Sequence, residues 1–327
     1  MKAIVMTRAE GEGTLEYRDI ADPAPGPEDL LIQVKATALN RSDLLQRMGA
    51  YPQPGPRPEF EVPGLELAGE VLEAGSRVEG FAPGNRVMAL VAGGGYAEKA
   101  VVHYRHAAKV PDGLSWQEAG ATPEVFITAH DALRQCNLQS GESVLIHAAG
   151  SGVGTAAVQI AKVMGALPVF GTAGSHDKLE RARELGLDIG INYRDQDFAE
   201  VVRESTGGRG VDVLLDVIGA GYWEQNIASL APLGRMVLVG LMGGATTEAN
   251  LGLLLRKRLQ VRGTVLRSRP PEEKGAAVQA FVKSVLPHIG TGRIRVVVDR
   301  VFPLAEARSA QEYMETNANF GKIVLEP

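Results

Sequence analysis

The run Val144–Gln159, VLIHAAGSGVGTAAVQ, constrains this chain more than any other stretch. An apolar, β-branched segment (144–146) meets a small-residue loop. A run rich in Ala, Val and Gln follows with helical spacing, so the pattern predicts strand, tight turn, helix. Gly152 and Gly154 let the backbone come close to an anion. The N–H groups of the next helix's first turn, aided by its dipole, then point at a diphosphate. No Lys follows the glycines as it would in a P-loop, which favours a dinucleotide over ATP. Gly150, Gly152 and Gly154 alternate, so the spacing departs from GxGxxG. Taken alone, the motif also fits a turn that only packs helix on strand.

The surroundings supply the context. From Glu124 onward, helices and strands alternate. Strands are predicted over 143–147, 167–171, 189–192, 211–217, 235–240 and 260–265, most of them joined by helices. Six such strands imply a parallel, doubly wound sheet. Residues 1 to about 110 read instead as a strand series with turn-rich connections, which predicts a partly open barrel. A proline-rich loop, AYPQPGPRPEFEVP (50–63), lies within it. SWQE (115–118) has capping-box spacing and opens a helix. After Arg267 come a helix (271–288), a strand (294–301), a helix (304–315) and a strand (321–325), outside the six-strand set. The chain is therefore expected to return to the first domain, with the dinucleotide domain inserted and a cleft between the lobes.

Composition excludes several classes. With 327 residues, two domains are expected. A net charge of -5 offers no attraction for nucleic acid or an acidic membrane surface. No apolar run approaches the roughly 20 residues that span a bilayer, and MKAIVMTRAEGEG is no signal peptide. The single cysteine, Cys136, rules out an intramolecular disulfide and a multi-cysteine zinc site. A cytoplasmic setting is expected.

LNRSDLLQ (39–46), PGLELAG (63–69), PGNRV (83–87), GGYAE (94–98) and the Gly loop follow one another in an order that resembles the medium-chain dehydrogenase/reductase superfamily, over essentially the whole chain. Within it the chain resembles the quinone oxidoreductase branch. ALNRSDLLQRMGAY, IHAAGSGVGTAAVQ, GLMGG and NFGKIVLE look most like the p53-inducible quinone oxidoreductases. The resemblance implies a GroES-like, partly open β-barrel catalytic domain (1–122 and 267–327). It also implies an inserted six-stranded Rossmann dinucleotide-binding domain (123–266). Zinc alcohol dehydrogenases carry Cys where this chain has Asn40, and His where it has Leu65. Their four-cysteine lobe is missing as well. Catalytic zinc needs about three protein ligands, so no metal is expected. His103, His106 and Glu66 are read as packing or surface residues.

NAD sites place Asp or Glu about 20 residues past the glycines. Here the second strand ends in Gly171, Thr172, Ala173, Gly174 and Ser175, without a carboxylate. Gly174 leaves room, and Lys178 can pair with a 2′-phosphate. Tyr193 can add a hydroxyl. In the resembling reductases these positions bind that phosphate, so NADPH is expected over NADH. Asp177 is read as a solvent-facing helix residue.

Without a metal, the acceptor must be polarised by hydrogen bonds. By resemblance, Asn40 and Tyr51 are the catalytic candidates. Asn40 would also supply an amide to the cofactor. Tyr51 would donate through its hydroxyl, or only stack. Thr128 touches the nicotinamide in the family. Ser151 and Val153 lie in the cradle with Gly152. Gly240, Leu241 and Met242 follow the fifth strand, and Leu266 and Arg267 the sixth. All are cofactor-binding candidates.

The expected function is zinc-independent hydride transfer from NADPH to a quinone. Reduction of conjugated enals, enones or enoyl thioesters is the alternative. For a thioester, Arg41, Arg47 and Arg57 would line the mouth. A cofactor-binding interaction protein with little turnover is the reading from another class. By analogy with relatives that pair through the last Rossmann strand, a homodimer is expected.

Overall fold

A computed structural model describes residues 1–7, 12–51, 54–55 and 58–327. The chain divides into two compact units. One comprises Met1–Ile127 and Leu266–Pro327, the other Thr128–Val265. The division falls inside the helix Pro123–Gln135.

The first unit starts with an antiparallel pair, β1 (Lys2–Thr7) and β2 (Thr14–Asp19). Then come β3 (Asp29–Ala38), the helix Arg41–Arg47, β4 (Glu66–Ala74), β5 (Arg86–Leu90), β6 (Lys99–His103) and β7 (Ala107–Lys109). Ser115 caps the short helix Trp116–Gly120 through a capping box with Glu118. In β3, Leu30, Ile32, Val34 and Ala36 are buried at every second position, as one-sided burial of a strand requires. Leu30, Ile32 and Val34 share a core with Leu67, Val71, Val87 and Val102.

The second unit carries β8 (Val144–Ile146), β9 (Val169–Ala173), β10 (Ile189–Asn192), β11 (Val211–Asp216), β12 (Leu230–Leu238) and β13 (Gln260–Gly263). All pair in parallel, in the order β10-β9-β8-β11-β12-β13. This is the doubly wound arrangement, and strand order reverses between β8 and β11. Buried residues, mostly apolar, fill the central strands β8, β9 and β11, as expected of a sheet covered on both faces, whereas β13 at the edge is exposed.

The chain then rejoins the first unit with β14 (Val298–Pro303) and β15 (Lys322–Glu326). They complete a seven-stranded sheet ordered β14-β15-β3-β4-β5-β7, with β6 also on β3. The hydrogen-bonded path does not close on itself, so the barrel is partly open.

Some local expectations shift. The helix expected over 271–288 breaks into Pro271–Ser284 and Leu286–Gly290. Pro287 lacks the N–H that a continuous helix would need there. β12 begins at Leu230, ahead of the strand expected over 235–240, and Leu233 within it takes a φ of 65° before Gly234. The strand expected over 294–301 runs later, as Val298–Pro303. Among the described residues no helix is long and apolar enough to cross a membrane.

Candidate functional site

In the second unit, the loop after β8 lies where strand order reverses. Ser151 caps the helix Gly152–Val163, its Oγ accepting from the Gly154 N–H at 3.0 Å. Gly152 and Val153, the first two helical residues, have no intrahelical acceptor for their N–H groups. Gly154 is required by packing, since a Cβ there would lie 2.1 Å from the Ala148 carbonyl oxygen. Beneath the loop His147 is fully buried, with Nδ1 3.0 Å from Thr172 Oγ1 and Nε2 2.6 Å from Asn226 Oδ1. Asn226 Nδ2 in turn donates to Asp216, whose Oδ1 also accepts from Ile218 N and Gly219 N after β11. Met242 N donates to Val217 O, and Gly243 N to Ile218 O. The loop carrying Gly240, Leu241 and Met242 is thereby tied to the end of β11. Leu241 and Met242 are about half exposed, at 53% and 50%, so neither is core.

At the end of β9, the Gly174 position faces polar groups. A Cβ there would meet Tyr193 Oη at 2.6 Å and Arg194 Nε at 3.3 Å. Ser175 caps the next helix and accepts from Lys178 N. Lys178 is half-buried, and Asp177 has a side chain 78% exposed and turned to solvent. Arg194 was not singled out from the sequence. Its adjacency to Tyr193 was the available signal. Thr128 is 9% exposed, and its hydroxyl makes no hydrogen bond among the described residues.

In the first unit, Asn40 precedes the helix Arg41–Arg47 and is buried. Its Nδ2 donates to Glu66 Oε1 at 2.9 Å and, at a longer 3.3 Å, to Ala38 O, while Oδ1 accepts from Lys322 Nζ at 2.7 Å. An external acceptor would have to displace the Ala38 carbonyl. Glu66 is fully buried. Its Oε1 lies 2.7 Å from Lys322 Nζ, and its Oε2 accepts from Glu124 N at 2.8 Å. Asp43 caps the same corner, accepting from Asn40 N and Tyr96 Oη. Burial pushes its carboxyl up to about 6.

Tyr51 is half-buried, and its hydroxyl has no hydrogen-bond partner among the described residues. Burial, and secondarily the Glu124 charge, push that hydroxyl up to about 12. The Arg267 guanidinium lies over the Tyr51 ring, 4.9 Å from its centroid. Arg267 also donates to Ala92 O, Tyr51 O and Gln46 Oε1. Its role within this unit is thus to hold Tyr51, and the neighbouring Leu266 is buried at 6%. Nothing in the sequence pattern singles out Lys322, which lies far from Glu66 along the chain, or marks Glu124 as more than a helix-opening acid. Arg47 is buried against Glu12 and Glu315, so it lines no basic mouth, and Arg57 lies outside the described residues. Among the described residues no group of three His, Cys, Asp or Glu could hold a metal ion.

Residues 26–112 match the alcohol dehydrogenase GroES-like domain, and residues 152–283 the zinc-binding dehydrogenase family. A quinone oxidoreductase of Pseudomonas aeruginosa is 34% identical, over 100% of this chain and 99% of its own. The chain belongs to the quinone oxidoreductase-like family of the medium-chain dehydrogenase/reductase superfamily. Among solved structures, Escherichia coli quinone oxidoreductase complexed with NADPH superposes with a TM-score of 0.90 at 31% identity, covering all of both chains. An NAD-dependent alcohol dehydrogenase superposes with a TM-score of 0.88 at 33% identity, again over all of both chains. These two relatives are described with different nicotinamide cofactors, so the choice for this chain rests on its own residues.

Proposed function

We propose that the protein is a zinc-independent, NADPH-dependent reductase of quinones, of the p53-inducible kind on the sequence pieces quoted above. The observation that carries the cofactor assignment is the end of β9. Gly174, lacking a side chain, lets Tyr193 Oη and Arg194 Nε come close to its backbone, with Lys178 on the next helical turn. Two cations and a hydroxyl at this strand end suit a 2′-phosphate. The diphosphate would rest on the N-terminus of Gly152–Val163, and Thr128, Gly240, Leu241 and Met242 would be the second unit's contribution to the nicotinamide half. When bound, NADPH supplies hydride. The residues of the first unit then orient the acceptor and stabilise the charge that develops on its oxygen. Tyr51 offers its hydroxyl. Asn40 shapes that corner through its bonds to Glu66 and Lys322. Leu266 and Arg267 act from behind by fixing Tyr51.

Zinc independence is supported by what stands at the two departing positions. Leu65 is a buried aliphatic side chain, and the Asn40 amide is already bonded to a carboxylate and an ammonium. The test is NADPH oxidation with 1,2-naphthoquinone by protein assayed for zinc, with kcat/KM compared for NADPH and NADH. A preference for NADH removes the cofactor assignment. Stoichiometric zinc, lost together with activity on chelation, removes the metal-free reading. Binding of NADPH without oxidation by any acceptor would favour an interaction protein.

One observation favours a second reading, reduction of a conjugated enal or enone. The Tyr51 hydroxyl has no partner among the described residues, and an enolate needs a proton more than a reduced quinone does. We also read the exposed strand β13, at the edge of its sheet, as the pairing edge of a homodimer. Sedimentation as a monomer would overturn that.

A further inference from the structure

Around Tyr51 the first unit gathers three carboxyl groups, Asp43, Glu66 and Glu124, of which only Glu66 has an ion-pair partner among the described residues. Lys322 is committed to Glu66 Oε1, Asn40 Oδ1 and the Leu39 carbonyl. Arg267 donates to Ala92 O, Tyr51 O and Gln46 Oε1, and Lys274 Nζ to the Arg267 carbonyl, none of them a carboxylate. Glu124 opens the helix Pro123–Gln135. Its backbone N–H bonds Glu66, but its own carboxyl has no hydrogen bond or ion pair among the described residues. Glu124 as a residue is partly buried, beside Glu66. By contrast, Asp43 is sealed inside at 1% exposure beneath Tyr96.

We propose that the Glu124 carboxyl is the proton source for the acceptor reduced beside Tyr51. The inference rests on the reductase reading above. A quinone that gains hydride from NADPH gains two electrons and one hydrogen, leaving a hydroquinone monoanion. A proton from the Glu124 carboxyl completes the hydroquinone. The resulting Glu124 carboxylate regains its proton from water.

The groups facing Glu124 agree with this role. Glu66 on β4 and Asp43 on Arg41–Arg47 oppose its ionisation. Lys322 on β15 and Lys274 on Pro271–Ser284 favour it, and Tyr51 and Arg267 lie within reach of its field. Burial comes first among the causes and Glu66 second, and together they push the carboxyl up to about 8. The group is therefore protonated at neutral pH and close enough to it to give the proton up, as a general acid requires.

The test combines two measurements on the intact protein. In wild type, kcat/KM for 1,2-naphthoquinone should be level at neutral pH and fall through about pH 8. Glu124→Gln should lower kcat/KM at neutral pH by about 10²-fold, the low end for general acid catalysis, and should abolish that fall. Independently, infrared difference spectra of the wild type without substrate should show a protonated carboxyl titrating near pH 8 and missing from Glu124→Gln. An active wild type with Glu124 already ionised at pH 6, or a variant that keeps both the rate and the alkaline fall, overturns this inference alone. A wild type that oxidises NADPH with no quinone overturns the reductase reading, and the inference with it.

Discussion

Lys322 and Glu66 form a buried ion pair, Nζ 2.7 Å from Oε1, with side chains 4% and 0% exposed. The same ammonium holds the Asn40 carbonyl oxygen at 2.7 Å. A fixed cation thus stands beside a residue that zinc relatives replace with a metal ligand. Its removal would strand a carboxylate in the interior. Lys322→Met should therefore destabilise the protein by about 3–5 kcal/mol. Adding Glu66→Gln should recover part of that, because the uncompensated charge is gone. Urea unfolding of the two variants decides. Equal stability of wild type and Lys322→Met would show that the pair contributes little.

The cofactor assignment can be probed at the glycine as well as at the cation. Lys178→Ala removes a charge-assisted contact of about 1.5–3 kcal/mol. It should lower the NADPH-to-NADH ratio of kcat/KM by about tenfold to a hundredfold. Gly174→Ala would drive a methyl against Tyr193 Oη, 2.6 Å from the Cβ position. It should weaken NADPH more than NADH, because only NADPH places a phosphate there. Parallel losses for both cofactors would count against a 2′-phosphate site.

Gly154→Ala tests the diphosphate cradle. The new Cβ would sit 2.1 Å from the Ala148 carbonyl oxygen, which is backbone and cannot swing aside. The helix must lift off its loop. Overpacking of this kind costs about 1–3 kcal/mol, so the melting temperature should fall and cofactor affinity should fall with it. Calorimetry with and without NADPH reads both.

Much of this arrangement was legible beforehand because it repeats locally. The six parallel strands announced themselves by apolar runs separated by helical spacing, and Gly152, Gly154 and Gly174 by their place at strand ends. What stayed hidden depends on chain segments that meet only after folding. No spacing rule links Lys322 to Glu66. None predicts that Arg267, read as a cofactor-binding candidate, lies over the Tyr51 ring and bonds its carbonyl. Glu124 looked like an ordinary first-turn acid. Its distinctive property is the neighbouring Glu66, whose counter-charge is already taken.

His147 predicts a pH effect on stability. Burial holds its imidazole down to about 4. Asn226 Oδ1 can only accept, so Nε2 carries the proton and Nδ1 accepts from Thr172, which is the neutral form. The unfolded chain would bind a proton below its ordinary value of 6.5, while the folded one would not. The stabilising contribution is complete above that value and is lost as pH falls towards 4, by roughly 3 kcal/mol. Asp43, Asp216 and Glu124 are shifted upward and act in the opposite sense, so the test must be differential. Between pH 6.5 and 4, the stability difference between wild type and His147→Gln should shrink. A constant difference across that window would mean that the imidazole takes up its proton in the fold.

Tyr51→Phe separates stacking from donation. The ring would remain under the Arg267 guanidinium, so any stacking through the ring would persist. The hydroxyl, pushed up to about 12, is protonated throughout the working range and has no partner in the described structure. Its loss removes a donor to the developing oxyanion. For an enone, kcat/KM should fall by about 10²-fold, and mostly in kcat. A quinone tolerates the loss better, because its reduced form is a weaker base, so a fall of about tenfold is expected there. If both acceptors are reduced at the wild-type rate, Tyr51 serves by shape alone, and the proton proposed to come from Glu124 is delivered without help from the Tyr51 hydroxyl.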